Sequence, residues 1–198
     1  MLKQKLKNYT IILASASPRR QEFLKTLDID FKIQLKPIEE VYPEHLIHSE
    51  ISDFLSVLKA EPFLEALSKN DILITSDTIV WHNNMALGKP KDEQDAFNML
   101  AALSGKTHEV ITSVCFKTKS KTTLIHDITK VTFNKLSDET IHYYISTYKP
   151  FDKAGAYGIQ DWIGLIGISN IEGSYTNVVG LPTEKVYQFL THNFNECN

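Results

Sequence analysis

Tyr9-Thr10-Ile11-Ile12-Leu13-Ala14-Ser15-Ala16-Ser17-Pro18-Arg19-Arg20-Gln21-Glu22-Phe23-Leu24-Lys25-Thr26-Leu27 holds a strand, a turn and a helix in close succession. Tyr9 to Ala14 is a short apolar, β-branched run and reads as a buried strand. From Gln21 to Leu27 the apolar residues fall at helical spacing. Between the two, Ser17 reads as an N-cap and Pro18 as the first helical residue, where its missing N–H costs nothing. Arg19 and Arg20 then fall in the first helical turn, where the dipole is positive and cations are disfavoured. Two arginines there cost stability unless an anion joins them. Helix N–H groups, the hydroxyls of Ser15 and Ser17 and two guanidinium forks together make a phosphate receptor. The competing reading is an ordinary cap with both arginines solvated.

Outside this stretch the composition is that of an ordinary soluble globular protein. The chain has 198 residues, 42% hydrophobic and 23% charged, enough for one domain with a sizeable core. A net charge of -3 and a pI of about 6.2 give no global basic field to recruit nucleic acid. Cys115 and Cys197 lie far apart without metal-ligand spacing, which reads as a reduced intracellular protein. Met1 to Lys7 imitates the charged start of a signal peptide and Ala14-Ser15-Ala16 its cleavage site. The apolar run between them falls short of the roughly 7–15 residues such a core needs. No stretch approaches the about 20 apolar residues of a membrane span, so a cytoplasmic protein with no membrane partner is expected.

Downstream, Phe31 to Leu35 alternates apolar and polar and reads as a half-buried strand, ending in the acidic pair Glu39-Glu40. His45 to Ser68 is helix-like, with Ile51, Phe54, Leu55 and Leu58 on one face and Pro62 as a break. Ile72 to Trp81 is a strong strand with Asp77 in its middle. A carboxylate inside a buried strand is expensive unless a cation or hydrogen-bond donors satisfy it. Asn83-Asn84 reads as a hairpin turn whose return brings Gly88-Lys89 towards that strand. A strand carboxylate facing a loop lysine suits a metal–phosphate site, and a plain structural ion pair is the alternative.

Asp92 caps a helix to Leu103 that Gly105 stops, with Ala96, Phe97, Leu100 and Leu103 inward. His108 to Phe116 and Leu124 to Phe133 read as paired strands around a lysine-bearing turn. His108 beside a turn reads as structural or exposed and is kept out of the catalytic set. Ser137 caps a helix through about Thr147, with Ile141, Tyr144 and Ile145 inward. In Phe151 to Gln160 the glycines permit close backbone approach to a ligand. The Gln160 amide donates and accepts at once, which suits a pyrimidine edge. A last helix is expected from about Thr183 to Leu190, with a frayed polar tail after it. Strand and helix patterns alternate irregularly and two hairpins are expected. The fold class is therefore α/β, with a mixed, twisted central sheet flanked by helices.

Leu13-Ala14-Ser15-Ala16-Ser17-Pro18-Arg19-Arg20-Gln21-Glu22-Phe23-Leu24 closely resembles the signature of the Maf family of nucleotide pyrophosphatases. Ser76-Asp77-Thr78-Ile79-Val80 followed by Leu87-Gly88-Lys89-Pro90 resembles its second motif, with Thr75-Ser76 where the family has Gly-Ala. Lys59-Ala60, Gly105 to Thr112 and Asp152 to Gln160 also match, so the likeness runs from about Ile12 to Leu190. It implies a single Maf-like domain over residues 1–198, with two lobes around a cleft and an ITPase-like fold. It also implies hydrolysis of nucleoside triphosphates to monophosphate and pyrophosphate, with a divalent cation (Mg2+ or Mn2+) and a homodimer. The Asp152–Gln160 segment looks like the branch that prefers dTTP and UTP, extending to modified pyrimidine nucleotides and house-cleaning of the nucleotide pool.

Carried over by resemblance, Asp77 is the proton acceptor for the attacking water. Ser15, Arg20, Lys59 and Lys89 match phosphate-binding positions, and Arg19, Thr78 and Gln160 match substrate-selecting ones. Glu40 and Asp77 are the candidate metal contacts. The rival readings are the 7-methyl-GTP branch, clearance of inosine-type triphosphates, and a non-enzymatic septum-formation regulator or nucleic-acid binder. The acidic pI and the set of phosphate-contacting residue types favour the enzyme, with no nucleic-acid partner.

Overall fold

Alternate residues of the central strands point to opposite faces of the sheet, and here both faces are covered. In the computed structural model the described residues are 1–194, which leaves Cys197 outside them. The elements follow in the order α1 (Leu2–Lys5), β1 (Thr10–Leu13), α2 (Pro18–Thr26), β2 (Phe31–Ile33) and α3 (Ser49–Leu58). Next come β3 (Asp71–His82), β4 (Met85–Leu87), α4 (Glu93–Leu103), β5 (Thr107–Lys117), β6 (Thr122–Phe133) and α5 (Asp138–Tyr148). The chain ends in α6 (Trp162–Gly167), β7 (Ile168–Glu172), α7 (Tyr175–Val179) and α8 (Thr183–Asn193). The sheet order is β2-β1-β3-β5-β6-β7, with β4 hydrogen-bonded to β3. β1 is parallel to β2 and β3, whereas β3–β4 and β6–β7 are antiparallel, so the sheet is mixed.

The chain divides into two compact units. The first comprises Met1–Asp77, Thr112–Asp127 and Gly180–Asn198. Its strands split by parity. Ile11, Leu13, Ile72, Ile74, Val114 and Phe116 enter one cluster with Leu24, Val186 and Leu190, while Ile12, Leu73 and Cys115 enter another with Ala60 and Phe63. Burial on both faces is why these strands read as near-continuous apolar runs. The second unit comprises Thr78–Ile111 and Ile128–Val179. Its core joins Leu100, Val110, Phe133, Ile141, Tyr144 and Tyr157. None of the described helices is long and apolar enough to cross a membrane.

The local signals hold at Ser17, Asp92 and Ser137, each of which accepts a backbone N–H at its helix start. Asn83 and Asn84 take φ of 49° and 58°, the left-handed pair that a tight hairpin turn needs. Three expectations fail. The strand after Asp30 is three residues long, and as a sheet edge it leaves Ile33 exposed and only Phe31 half-buried. α3 begins at Ser49, after His48 at φ 54°, and buries Ser52 and Ser56 rather than Phe54 and Leu58. Those hydroxyls are cheap to bury because each donates to a helix carbonyl, Ser52 to Ser49 O and Ser56 to Asp53 O. The chain also does not fray directly after Leu190. α8 continues through Asn193, and the Phe194 ring packs edge-on against Tyr9 at 5.2 Å.

Candidate active site

The parity of β3 decides where Asp77 points. Leu73 faces the cluster that contains Ala60 and Phe63, so Thr75 and Asp77, two and four residues on, face the same side. The Thr75 hydroxyl donates to Ser56 O of α3 at 2.6 Å. One turn further along that helix, Lys59 at its C-cap brings its Nζ to 2.6 Å from Asp77 Oδ1. The same ammonium lies 3.1 Å from Glu40 Oε2. The Asp77 side chain is 8% exposed and that of Glu40 42%, so one carboxylate is nearly enclosed and the other reaches water.

Arg20 comes to the same place from the start of α2. Its Nη1 donates to Ser76 O at 2.8 Å and to Ser15 Oγ at 3.5 Å, and its Nε donates to Gly180 O at 2.9 Å. The side chain thus ties the helix start to β3 and to the turn before α8. Burial pulls the Arg20 pKa below its usual value, with Arg19 adding to that pull, while the Asp77 and Glu40 carboxylates oppose it. The Ser15 hydroxyl accepts from Ser17 N at 3.2 Å, which shapes the turn between β1 and α2. Ser15, Arg20, Glu40, Lys59 and Asp77 therefore form one linked group in the first unit, with Arg19 within electrostatic reach.

Thr78, Lys89 and Gln160 belong to the second unit. Thr78 follows Asp77 on β3 with its side chain on the opposite face. Lys89 and Gln160 are exposed. Their two loops are joined directly, because Gly155 N donates to Gly88 O at 3.0 Å. Gly155 has φ of 67°, and a Cβ there would sit 2.8 Å from Val80 Cγ2, so only glycine keeps the loop this close to β3. Lys153 Nζ pairs with Asp152 at 2.7 Å and lies 3.8 Å from Asp161. His108 is a core residue, bonded through Nε2 to the Tyr157 hydroxyl at 2.7 Å and stacked on Phe133. Sequence reasoning placed Tyr144 inward without foreseeing that its hydroxyl would hold the loop that carries Gln160. The available signal is that a buried tyrosine needs a partner for its hydroxyl.

Among the described residues, no group of three or more His, Cys, Asp or Glu side chains is placed to hold a metal ion. Two carboxylates do converge, and the charge they share is the Lys59 ammonium. Mg2+ keeps several waters and takes one or two carboxylates together with substrate phosphates. Asp77 and Glu40 fit such an ion, with the ammonium marking where the site holds positive charge. A nearly enclosed strand carboxylate bonded to Lys59, with the Arg20 charge within electrostatic reach, is suited to water activation beside phosphates.

Residues 10–193 match the family described as Maf-like protein, and the chain belongs to the Maf family. It is 64% identical over 191 residues to the dTTP/UTP pyrophosphatase of Flavobacterium johnsoniae, covering 96% of this chain and 98% of that protein. It is 66% identical over 195 residues to the dTTP/UTP pyrophosphatase of Flavobacterium psychrophilum, covering 98% and 100%. The protein of that name from Christiangramia forsetii is 57% identical over 195 residues, covering 98% and 100%. In fold, the chain is similar to the solved Staphylococcus aureus Ham1 protein, at a TM-score of 0.53 and 15% identity, covering 93% of this chain and 99% of that one.

Proposed function

We propose that this protein hydrolyses dTTP and UTP to the nucleoside monophosphate and pyrophosphate. The observation that carries the reading is Asp77, a nearly enclosed strand carboxylate held at 2.6 Å by Lys59 beside Glu40. The name shared by relatives of this length and identity supports the substrate class.

In this mechanism a water oxygen bonds to the α-phosphorus, and the bond from that phosphorus to the α,β-bridging oxygen breaks. Pyrophosphate leaves with the electron pair. Lys59 engages Oδ1 of Asp77, so Oδ2 is the oxygen that orients the water and takes its proton. Lys59 has three N–H donors and two carboxylate contacts, so a third N–H can reach a phosphate oxygen. Ser15, Arg20 and Lys89 complete the phosphate contacts, while Arg19, Thr78 and Gln160 select the substrate. A divalent cation, Mg2+ or Mn2+, would be held by Glu40 and Asp77 and would supply neutralisation of the phosphate charge. The reading includes a cytoplasmic homodimer, which rests on the resemblance to the family.

A panel of dTTP, UTP, CTP, 7-methyl-GTP and ITP, with Mg2+ or Mn2+, tests this, with monophosphate and pyrophosphate assayed separately. Monophosphate plus pyrophosphate from dTTP and UTP ahead of the others is expected. Preference for 7-methyl-GTP or ITP would move the protein to another substrate class. Silence on every nucleotide would overturn the enzyme reading.

A further inference from the structure

Gly158 to Asp161 forms a turn closed by a bond from Asp161 N to Gly158 O at 3.0 Å, and Gln160 occupies its third position. Ile159 beside it is anchored in the core, 5% exposed, whereas Gln160 faces solvent. One buried phenol ties both ends of this turn. The Tyr144 hydroxyl accepts from Gly158 N at 3.1 Å and donates to Asp161 Oδ2 at 2.7 Å. A Cβ at Gly158 would lie 2.5 Å from that same Oδ2, so glycine lets the carboxylate fold back over the backbone.

The ring itself has little freedom. Tyr144 is on α5, fully buried, and stacks on Tyr148 with centroids 5.2 Å apart. Burial, and then the bond to Asp161, push its pKa far up, so the hydroxyl keeps its proton and its donor role.

We propose that Tyr144 is a positioning residue for base selection: its hydroxyl fixes the Gly158–Asp161 turn and thereby the direction in which the Gln160 amide meets the base. The inference rests on the assignment of Gln160 to substrate selection made above. It adds the reason an exposed glutamine can be selective, since the backbone that carries it is held at both ends.

Tyr144→Phe keeps the ring and removes only the hydroxyl. Its expected effect is a rise in KM for dTTP and UTP of about tenfold, the scale of one lost hydrogen bond, with kcat within about twofold. Gln160→Ala should do the same, and the double variant should be no worse than Gln160→Ala alone, because one change acts through the other. Amide exchange at Gly158 should accelerate in Tyr144→Phe while the amides of α5 keep their protection. Asp161→Asn retains an acceptor for the hydroxyl and should leave KM within about twofold. Losses that multiply in the double variant, or a fall in kcat at unchanged KM, would overturn the proposal. Unchanged exchange at Gly158 would overturn it too. If Tyr144→Phe does not fold, Asp161→Ala removes the other partner with the ring intact and is read in the same way. A wild-type protein inactive on dTTP and UTP instead overturns the underlying reading, and the Gly158 exchange still reports whether the anchor exists.

Discussion

The group around Asp77 and the loop that carries Gln160 are held by different means. In the first, charge holds charge: Lys59 bridges Asp77 and Glu40 on a strand packed on both faces, with the Arg20 guanidinium alongside. In the second, single bonds do the holding: from Gly158 N to the Tyr144 hydroxyl, from that hydroxyl to the Asp161 carboxylate, and from Gly155 N to Gly88 O. Removing a partner in the first strands a nearly enclosed charge, whereas removing the Tyr144 hydroxyl in the second leaves an uncharged group, the buried Gly158 N–H, without its partner. In the proposed mechanism, water attack and charge neutralisation fall to the costlier arrangement and base selection to the other.

The widest separation between the two regions is expected from Asp77→Asn. It should lower kcat by about 10³-fold, by removing the proton acceptor, while an amide oxygen still accepts from Lys59 and the melting temperature holds. Lys59→Met strikes the same region through stability. With Asp77 only 8% exposed and left without its cation, unfolding free energy in urea should fall by about 3 kcal/mol. Glu40→Gln removes the more exposed carboxylate and should cost less than about 1 kcal/mol, which sharpens the contrast between the two acids. In the loop region, Gly155→Ala meets both a φ of 67° and the Val80 side chain, and should destabilise by about 2 kcal/mol in the same urea titration.

A further prediction concerns pH. Burial, with the neighbouring His82 ring adding to it, holds the His108 pKa down at about 3. The folded protein keeps this ring neutral, while the unfolded chain protonates it near an ordinary value of about 6.5. Its contribution to stability is therefore complete above about pH 6.5 and is lost on acidification towards pH 3, at up to about 1.4 kcal/mol per pH unit. His108→Gln should flatten that part of the stability profile, and an unchanged slope would mean the ring is solvated.

Much of the frame was legible because it depends on neighbours in sequence. Ser17-Pro18, Asn83-Asn84, Asp92 and Ser137 each act on backbone groups a few residues away. The strand around Asp77 was legible because burial on both faces writes a continuous apolar run. The Lys59–Asp77 contact was not, since a helical lysine carries no signal of direction. It became visible only once Leu73 and Thr75 fixed which face of β3 meets α3. The buried face of α3 was misread because Ser52 and Ser56 satisfy their hydroxyls within the helix, which hydropathy cannot register. α6 and β7 escaped notice because Gly164 and Gly167 interrupt the helical run, while β7 is half-buried only at Ile168. The linked cluster of the site was readable as residue types, and its geometry required the sheet.

The most direct test of the central claim follows the oxygen of the attacking water. The protein is incubated with dTTP in water enriched in oxygen-18, and the two products are weighed by mass spectrometry. Attack on the α-phosphorus predicts one heavy oxygen in dTMP and none in pyrophosphate, with Asp77→Asn giving neither product at a comparable rate. Heavy oxygen in pyrophosphate, or release of single phosphate, would place the attack elsewhere on the chain of phosphates and contradict the role assigned to Asp77.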